Sequence, residues 1–383
     1  MHTYVKTLDR KYNFIRIRSA KGGQTSFICD VPSKMKYKVV LEDEMKRKLS
    51  LVIALILVAV LAFSACGQKN AGGGAGGGDV SSVLVAGADE TYYMVPFAAD
   101  APYWIDCFNG MTDALSLYGA KTVFQGTSGF DVADQTTIIE QLITKQAAGI
   151  AIAAANAEGI VPVIEKAWAA GIPVVNFDAA AASGTYGFIG TGNYAAGAAA
   201  AHEMAKLLNG TGKLGVVTVI DTDSTRNRGQ GFIDTVASDY PGMEVVQVVD
   251  GKFDQAIAAD ATSAMLQNHP DIVGLFANFA AGGVGVCTAI SENGKTGQIK
   301  VISFDTDPGT LDLIKSGDIV GTMAQGTWVM GWQSGQQLYW LQHDMLHPKP
   351  NWKEKGVSPL PNNIDTGITF VTKDNVDTFY AAE

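Results

Sequence analysis

From about residue 82 onward the sequence predicts an α/β fold built as two similar, doubly wound parallel-sheet lobes. Three observations carry this. Short runs rich in Val, Ile and Ala recur with no polar alternation, as strands buried on both faces do. Amphipathic stretches with a helical period separate them, which is the pattern of a parallel sheet with helices on both faces. The series then starts again past residue 192, so the chain holds two such units.

In the first series the strands are "VLVAGAD" (83–89), "KTVFQG" (121–126), "GIAIAAA" (149–155) and "IPVVNFD" (172–178), with helices over 103–118, 132–146 and 159–170. In the second they are "KLGVVTVI" (213–220), "MEVVQVVD" (243–250), "IVGLFANF" (272–279) and "KVISFD" (300–305), with helices over 194–208, 229–238 and 256–267. Ligands of such sheets sit beyond the carboxyl ends of the strands. The residues just after each strand are therefore the candidates for function.

The front of the chain reads differently. Lys46-Arg47-Lys48 precedes an apolar run from Leu49 to Phe63, then Ser64-Ala65-Cys66 and a glycine tract. A basic n-region, an apolar h-region and small residues make an export signal over 45–65. The run is shorter than the ~20 residues of a spanning helix. Small residues ahead of Cys66 resemble the bacterial lipobox, although Phe63 stands where that motif usually has Leu. The resemblance implies a lipidated Cys66, and the glycines over 66–81 form a flexible tether. Residues 1–44 are expected to be a misassigned extension ahead of a start at Met45.

The first 65 residues hold 12 Lys and Arg and 5 Asp and Glu, out of 28 and 38 in the whole chain. The remainder therefore carries 16 basic and 33 acidic residues, a net of −17 that repels phosphate backbones and disfavours nucleic-acid binding. Cys107 and Cys287 lie in apolar helical patterns and are expected to pack as small hydrophobes and not to bridge.

Several stretches can carry chemistry. Tyr103-Trp104 opens the first helix at the ligand end of a strand, where flat rings can lie against a sugar face. Asp178 and Asp305 end corresponding strands of the two series; each can cap the following segment or accept from ligand hydroxyls. Arg226 and Arg228 are the only arginines after residue 65 and fall together in "DTDSTRNRGQGF", read as a loop offering a fork of donors. "GTGNYAAG" (190–197) lacks the spacing of a dinucleotide loop, and Asn193 there reads as a helix cap. His343 and His347 share a helix face but lack a third ligand for a metal. Neither a nucleophile elbow nor a catalytic triad is found. No cofactor, metal or enzymatic activity is expected.

In order, "APYW", the strand ending in Asp178, "GFIGTGNYAAG", "RNRGQGF", "DGKFD", "VISFDTD", "GTMAQ" and "IDTGITFVTKDN" resemble the ribose/galactose-type solute-binding proteins of sugar ABC importers, in their Gram-positive lipoprotein form. The resemblance runs from about Val83 to Ala381. It implies a type I periplasmic-binding-protein fold with crossings near Thr191, Gln325 and Pro361, giving one lobe over 82–191 and 326–361 and another over 192–325 and 362–383. It also implies ligand contacts from Tyr103, Trp104, Asp178, Arg228, Phe253, Asn278, Asp305 and Gln325. The sequence departs from the family at Ala101 (often Asn), at Ala179 (often Arg) and at "FANFAA", which replaces an Asn-Asp pair at a strand end. Fewer polar groups then line the cleft, which leaves a pentose, a polyol or a less polar compound open.

The function implied is an extracytoplasmic, lipid-anchored monomer that binds a small carbohydrate-like ligand between its lobes and delivers it to an ABC permease. Two alternatives are a sugar sensor feeding a receptor kinase and an exported sugar-acting enzyme. A DNA-binding repressor shares the lobe architecture, but the export signal and acidic balance argue against it.

Overall fold

In a computed structural model the described residues are 85–346, 351–352, 354–355 and 357–380, together with the backbone of four strands nearer the start. Those strands are β1 (Val5–Asp9), β2 (Phe14–Ile17), β3 (Gln24–Asp30) and β4 (Lys36–Glu42), which form a separate sheet in the order β1-β2-β4-β3. They lie in the stretch expected to be an extension. The signal segment 45–65, Cys66 and the tether fall outside the described residues.

The unit Gly78–Glu383 contains two six-stranded sheets. The first is built from β5 (Thr91–Val95), α1 (Tyr103–Ser116), β6 (Lys121–Phe124), α2 (Val132–Thr144), β7 (Gly149–Ile152), α3 (Val161–Ala169), β8 (Val174–Phe177) and β9 (Phe188–Gly190). The chain then enters the second with α4 (Asn193–Leu208), β10 (Gly212–Thr218), α5 (Asp223–Asp239), β11 (Met243–Asp250), α6 (Gln255–Asn268), β12 (Ile272–Ala277), α7 (Ala280–Glu292), β13 (Lys300–Phe304), α8 (Pro308–Ser316) and β14 (Gly321–Gln325). It returns to the first lobe for α9 (Thr327–Gln342) and β15 (Asn363–Asp365), and ends in the second with β16 (Ile368–Thr372).

The strand orders are β6-β5-β7-β8-β9-β15 and β11-β10-β12-β13-β14-β16, the same winding twice. In both, the chain reverses direction after its second strand, so a crevice opens at the carboxyl ends of β5 and β7 and of β10 and β12. The last strands differ. β15 runs parallel to β9, whereas β16 runs antiparallel to β14. β7 and β8 are buried at every residue, as helix-covered parallel strands must be.

Three expectations need correcting. The first strand is "TYYMV", and the described part of "VLVAGAD", residues 85–89, is not strand: Glu90 N–H bonds the Gly87 carbonyl at 3.1 Å in a turn, while Tyr92, Met94 and Val95 are fully buried between β6 and β7. The third crossing falls at Thr366-Gly367 and not near Pro361, because residues 363–365 still pair with β9. α5 begins at Asp223, six residues before its expected start, so the two arginines sit on a helix and not in a loop. Gly229 and Gly231 weaken the helical signal there. Packing reverses that penalty, since a Cβ on Gly231 would strike the Tyr194 carbonyl and one on Gly197 the Arg228 carbonyl. The α1–α9 pair of the first lobe repeats the arrangement through Gly110 and Gly331.

Candidate binding cleft

Asp178 follows β8 and Asp305 follows β13, the equivalent strands of the two lobes. Both adopt the left-handed backbone, with φ of 57° and 68°, which Asp tolerates better than bulkier residues. Each N–H donates to the neighbouring strand, Asp178 to the Ile189 carbonyl and Asp305 to the Met323 carbonyl, both at 2.9 Å. The same strained turn therefore fixes one carboxylate on each side of the cleft.

On the first lobe, Tyr103 opens α1 and its hydroxyl donates to Asp178 Oδ1 at 2.6 Å. Burial pushes the Asp178 carboxyl above the ordinary carboxylate range, against the Tyr103 hydrogen bond and the charge of Arg228. Burial, then the Asp178 charge, raises the Tyr103 hydroxyl. Tyr103 is thus a donor in this pair.

The second lobe is organised by Arg228, which is 5% exposed. Its Nε donates to Asn193 Oδ1 at 2.7 Å, Nη1 to the Asn278 carbonyl at 3.2 Å and Nη2 to Gln325 Oε1 at 3.1 Å. The guanidinium lies 3.8 Å from the ring centroid of Phe304. Gln325 extends the network: its Oε1 also accepts from Thr191 Oγ1 at 2.7 Å, and its Nε2 donates to Asp305 Oδ1 at 2.7 Å. Burial pushes the Asp305 carboxyl up to about 6, although Arg228 and the Gln325 hydrogen bond pull it down and the Asp178 charge adds to the rise. Arg228 and the two carboxyls therefore act on one another across the cleft.

Other expected residues stand elsewhere. Trp104 is 3% exposed; its Nε1 donates to the Ala98 carbonyl at 3.1 Å and its ring meets Phe97, Tyr103 and Phe177 edge-on, so it is core and not a stacking surface. The periodicity that buries every third or fourth residue of α1 turns it inward. Asn278 is fully buried, and its side chain donates to Thr218 Oγ1 and the Thr225 carbonyl. What it offers Arg228 is its backbone carbonyl. Phe253 sets its ring between Phe130 and Phe279. Arg226 is a surface residue paired with Asp223 and the Ile220 carbonyl.

Asn193 is not the expected cap: Gly192 holds that position and the Asn193 side chain serves Arg228. Thr191 was not anticipated as a site residue. The sequence marks it only as the place of the first expected crossing. His343 Nε2 lies 2.9 Å from Glu90 Oε2 and its ring stacks on Tyr339; His347 is outside the described residues. Among the described residues, no group of three side chains could hold a metal. Cys107 and Cys287 are unbridged.

Two lobes of identical winding, with matched carboxylates facing a shared crevice, define a two-lobed solute-binding protein. The family described as periplasmic binding protein domain matches residues 92–342, and this chain belongs to it. The D-ribose/D-allose-binding protein of Pseudomonas aeruginosa is 30% identical over 203 residues, which is 51% of this chain and 63% of that protein. The chain thus spans less than two thirds of that relative's length. Among solved structures, AraP, an arabinose binding protein from Geobacillus stearothermophilus, is 44% identical with a TM-score of 0.72, covering 76% of this chain and all of that one. A sugar-binding protein of a sugar ABC transporter from Bacillus halodurans is 41% identical with a TM-score of 0.74 at the same coverage.

Proposed function

We propose that this protein is the extracytoplasmic solute-binding component of a sugar ABC importer, anchored through a lipidated Cys66, and that it closes its lobes on a monosaccharide and hands it to the permease. The observation that carries this is the pair Asp178 and Asp305, one per lobe at equivalent strand ends, with the buried Arg228 acting on both. A polyhydroxylated ligand donates to both carboxylates and accepts from the guanidinium, so it contacts both lobes and favours the closed form. Both carboxylates are hydrogen-bond acceptors here, and neither needs to act as an acid or base.

The ligand class follows from the residues that are absent as well. Ala101 and Ala179 leave the first lobe's wall apolar, which suits a pentose better than a fully hydroxylated hexose because buried hydroxyls without partners are costly. Two solved relatives agree with this direction, AraP and a solute-binding protein from Burkholderia graminis solved with D-arabinose, 29% identical with a TM-score of 0.65, while others were solved with D-fucose and alpha-D-tagatopyranose. Titration with D- and L-arabinose, D-ribose, D-xylose, D-allose, D-galactose and xylitol, followed by tryptophan fluorescence and calorimetry, tests the reading. Saturable binding of a pentose, lost in Asp178→Ala, is expected. Folded protein that binds none of these compounds would overturn the sugar assignment.

A further inference from the structure

The dipeptide Phe-Asp occurs at the same place in both lobes. Phe130-Asp131 ends the loop from β6 to α2, and Phe253-Asp254 ends the loop from β11 to α6. β6 and β11 hold equivalent positions in their sheets, so these are matching loops. In each, the Asp caps its helix: Asp131 accepts from Ala133 N–H at 2.7 Å, and Asp254 from Ile257 N–H at 2.8 Å.

The two rings meet. Their centroids are 6.3 Å apart with planes inclined by 17°, within the range of offset aromatic pairs. Both remain partly open to solvent, Phe130 at 57% and Phe253 at 43%, which places the pair at the rim of the cleft and not in its floor. Each ring is backed from its own lobe. Phe130 stacks on Phe97 at 4.7 Å, and Phe97 meets the buried Trp104 edge-on. Phe253 meets Phe279 at 5.6 Å, and Phe279, seated against Gly251 and Gly282, is 2% exposed. Lys252 and Phe253 both hold left-handed backbone, with φ of 48° and 54°, a conformation that is retained where surrounding structure fixes it.

We propose that Phe130 and Phe253 form an aromatic clasp across the cleft that favours the closed lobes whether or not ligand is bound. Phe130 is then a positioning residue that sets affinity and residence time without belonging to the polar site. A contact made in the closed state and lost in the open one shifts that equilibrium by its own free energy. Loss of an aromatic pair corresponds to about a 2- to 10-fold change.

The clasp rests on the proposed sugar cleft only for its affinity readout, so the test has two arms. In the ligand-free full chain, hydrogen exchange of residues 251–257 is compared between wild type and Phe130→Ala. Faster exchange on the lobe opposite the substitution is expected, with Phe130→Tyr restoring the wild-type rate. In the second arm, stopped-flow release of L-arabinose should quicken about 2- to 10-fold in Phe130→Ala. Unchanged exchange on the opposite lobe overturns the clasp. If wild type binds no arabinose, this arm uses whichever compound of the panel binds; if none binds, the sugar reading fails on its own, and the ligand-free arm still decides whether the rings hold the lobes together.

Discussion

The two lobes share one winding and one carboxylate turn, yet they furnish the cleft in opposite ways. The first offers the polar pair Tyr103 with Asp178, backed by a core that holds Trp104 and Phe177, with Phe97 and Ala101 packed against it. The second offers a connected lattice in which Arg228 is held by three acceptors and Gln325 joins Asp305 to Thr191. Such a lattice is rigid when every member is satisfied and costly when one is missing. The difference teaches that a duplicated fold need not carry a duplicated site. One lobe fixes donors and charge, and the other supplies an apolar wall with one carboxylate.

The sharpest way to break the comparison is to remove its hub. Arg228→Ala leaves Asn193 Oδ1, the Asn278 carbonyl and Gln325 Oε1 short of a donor, and takes a counter-charge from two half-buried carboxyls. A loss of about 2–4 kcal/mol in urea unfolding is expected, with ligand binding abolished. Arg228→Lys should recover little, because an ammonium cannot span three acceptors that a planar fork reaches. If Arg228→Ala costs no more stability than Tyr103→Phe, the two lobes are not organised differently.

A smaller effect separates the lobes by pH. The Asp305 carboxyl is raised to about 6 in the folded protein, above its ordinary value of 3.8, so the folded state binds its proton more readily than the unfolded chain does. That contribution to stability is complete below about pH 4 and is lost as pH rises through about 6. From this group, the ligand-free protein should gain a few degrees of Tm between pH 7.5 and pH 5 relative to Asp305→Asn, and Asp178 acts in the same direction. Ligand affinity should move the other way, falling below about pH 6, because hydroxyl donors prefer the carboxylate. Thermal melts and titrations of wild type and Asp305→Asn over this range check both signs.

The smallest effect belongs to Tyr103→Phe. It deletes one hydrogen bond to a carboxyl and no charge, so stability should change by about 1–2 kcal/mol. The Tyr103 hydroxyl also holds the Asp178 carboxyl down, and without it the acid limb of ligand binding should shift to higher pH. A binding profile unmoved by the substitution would show that the first lobe's polar pair does not govern Asp178.

The winding was readable because strands buried on both faces and amphipathic helices leave strong local periodicities. "MEVVQVVD" became β11 over the expected residues. Asp178 and Asp305 were readable for a related reason, since a strand end in a parallel sheet has a known relation to the crevice. "VLVAGAD" failed because apolar content cannot reveal that residues 91–95 supply better central-strand side chains. The start of α5 failed because glycine lowers helical propensity, and only the neighbouring α4 makes glycine necessary at 231.

What the sequence determined by itself is therefore the two-lobed α/β architecture and the position of one carboxylate at the cleft end of each lobe, because both follow from local period and strand direction. Tertiary structure alone decided the partners. It turned Trp104 into the core, drew Asn193 from helix capping to Arg228, buried the Asn278 side chain while exposing its carbonyl to the guanidinium, and brought Phe130 to Phe253 across the cleft. These contacts join residues far apart in the chain, and no local propensity encodes which distant acceptor or ring the folded lobes will bring within reach.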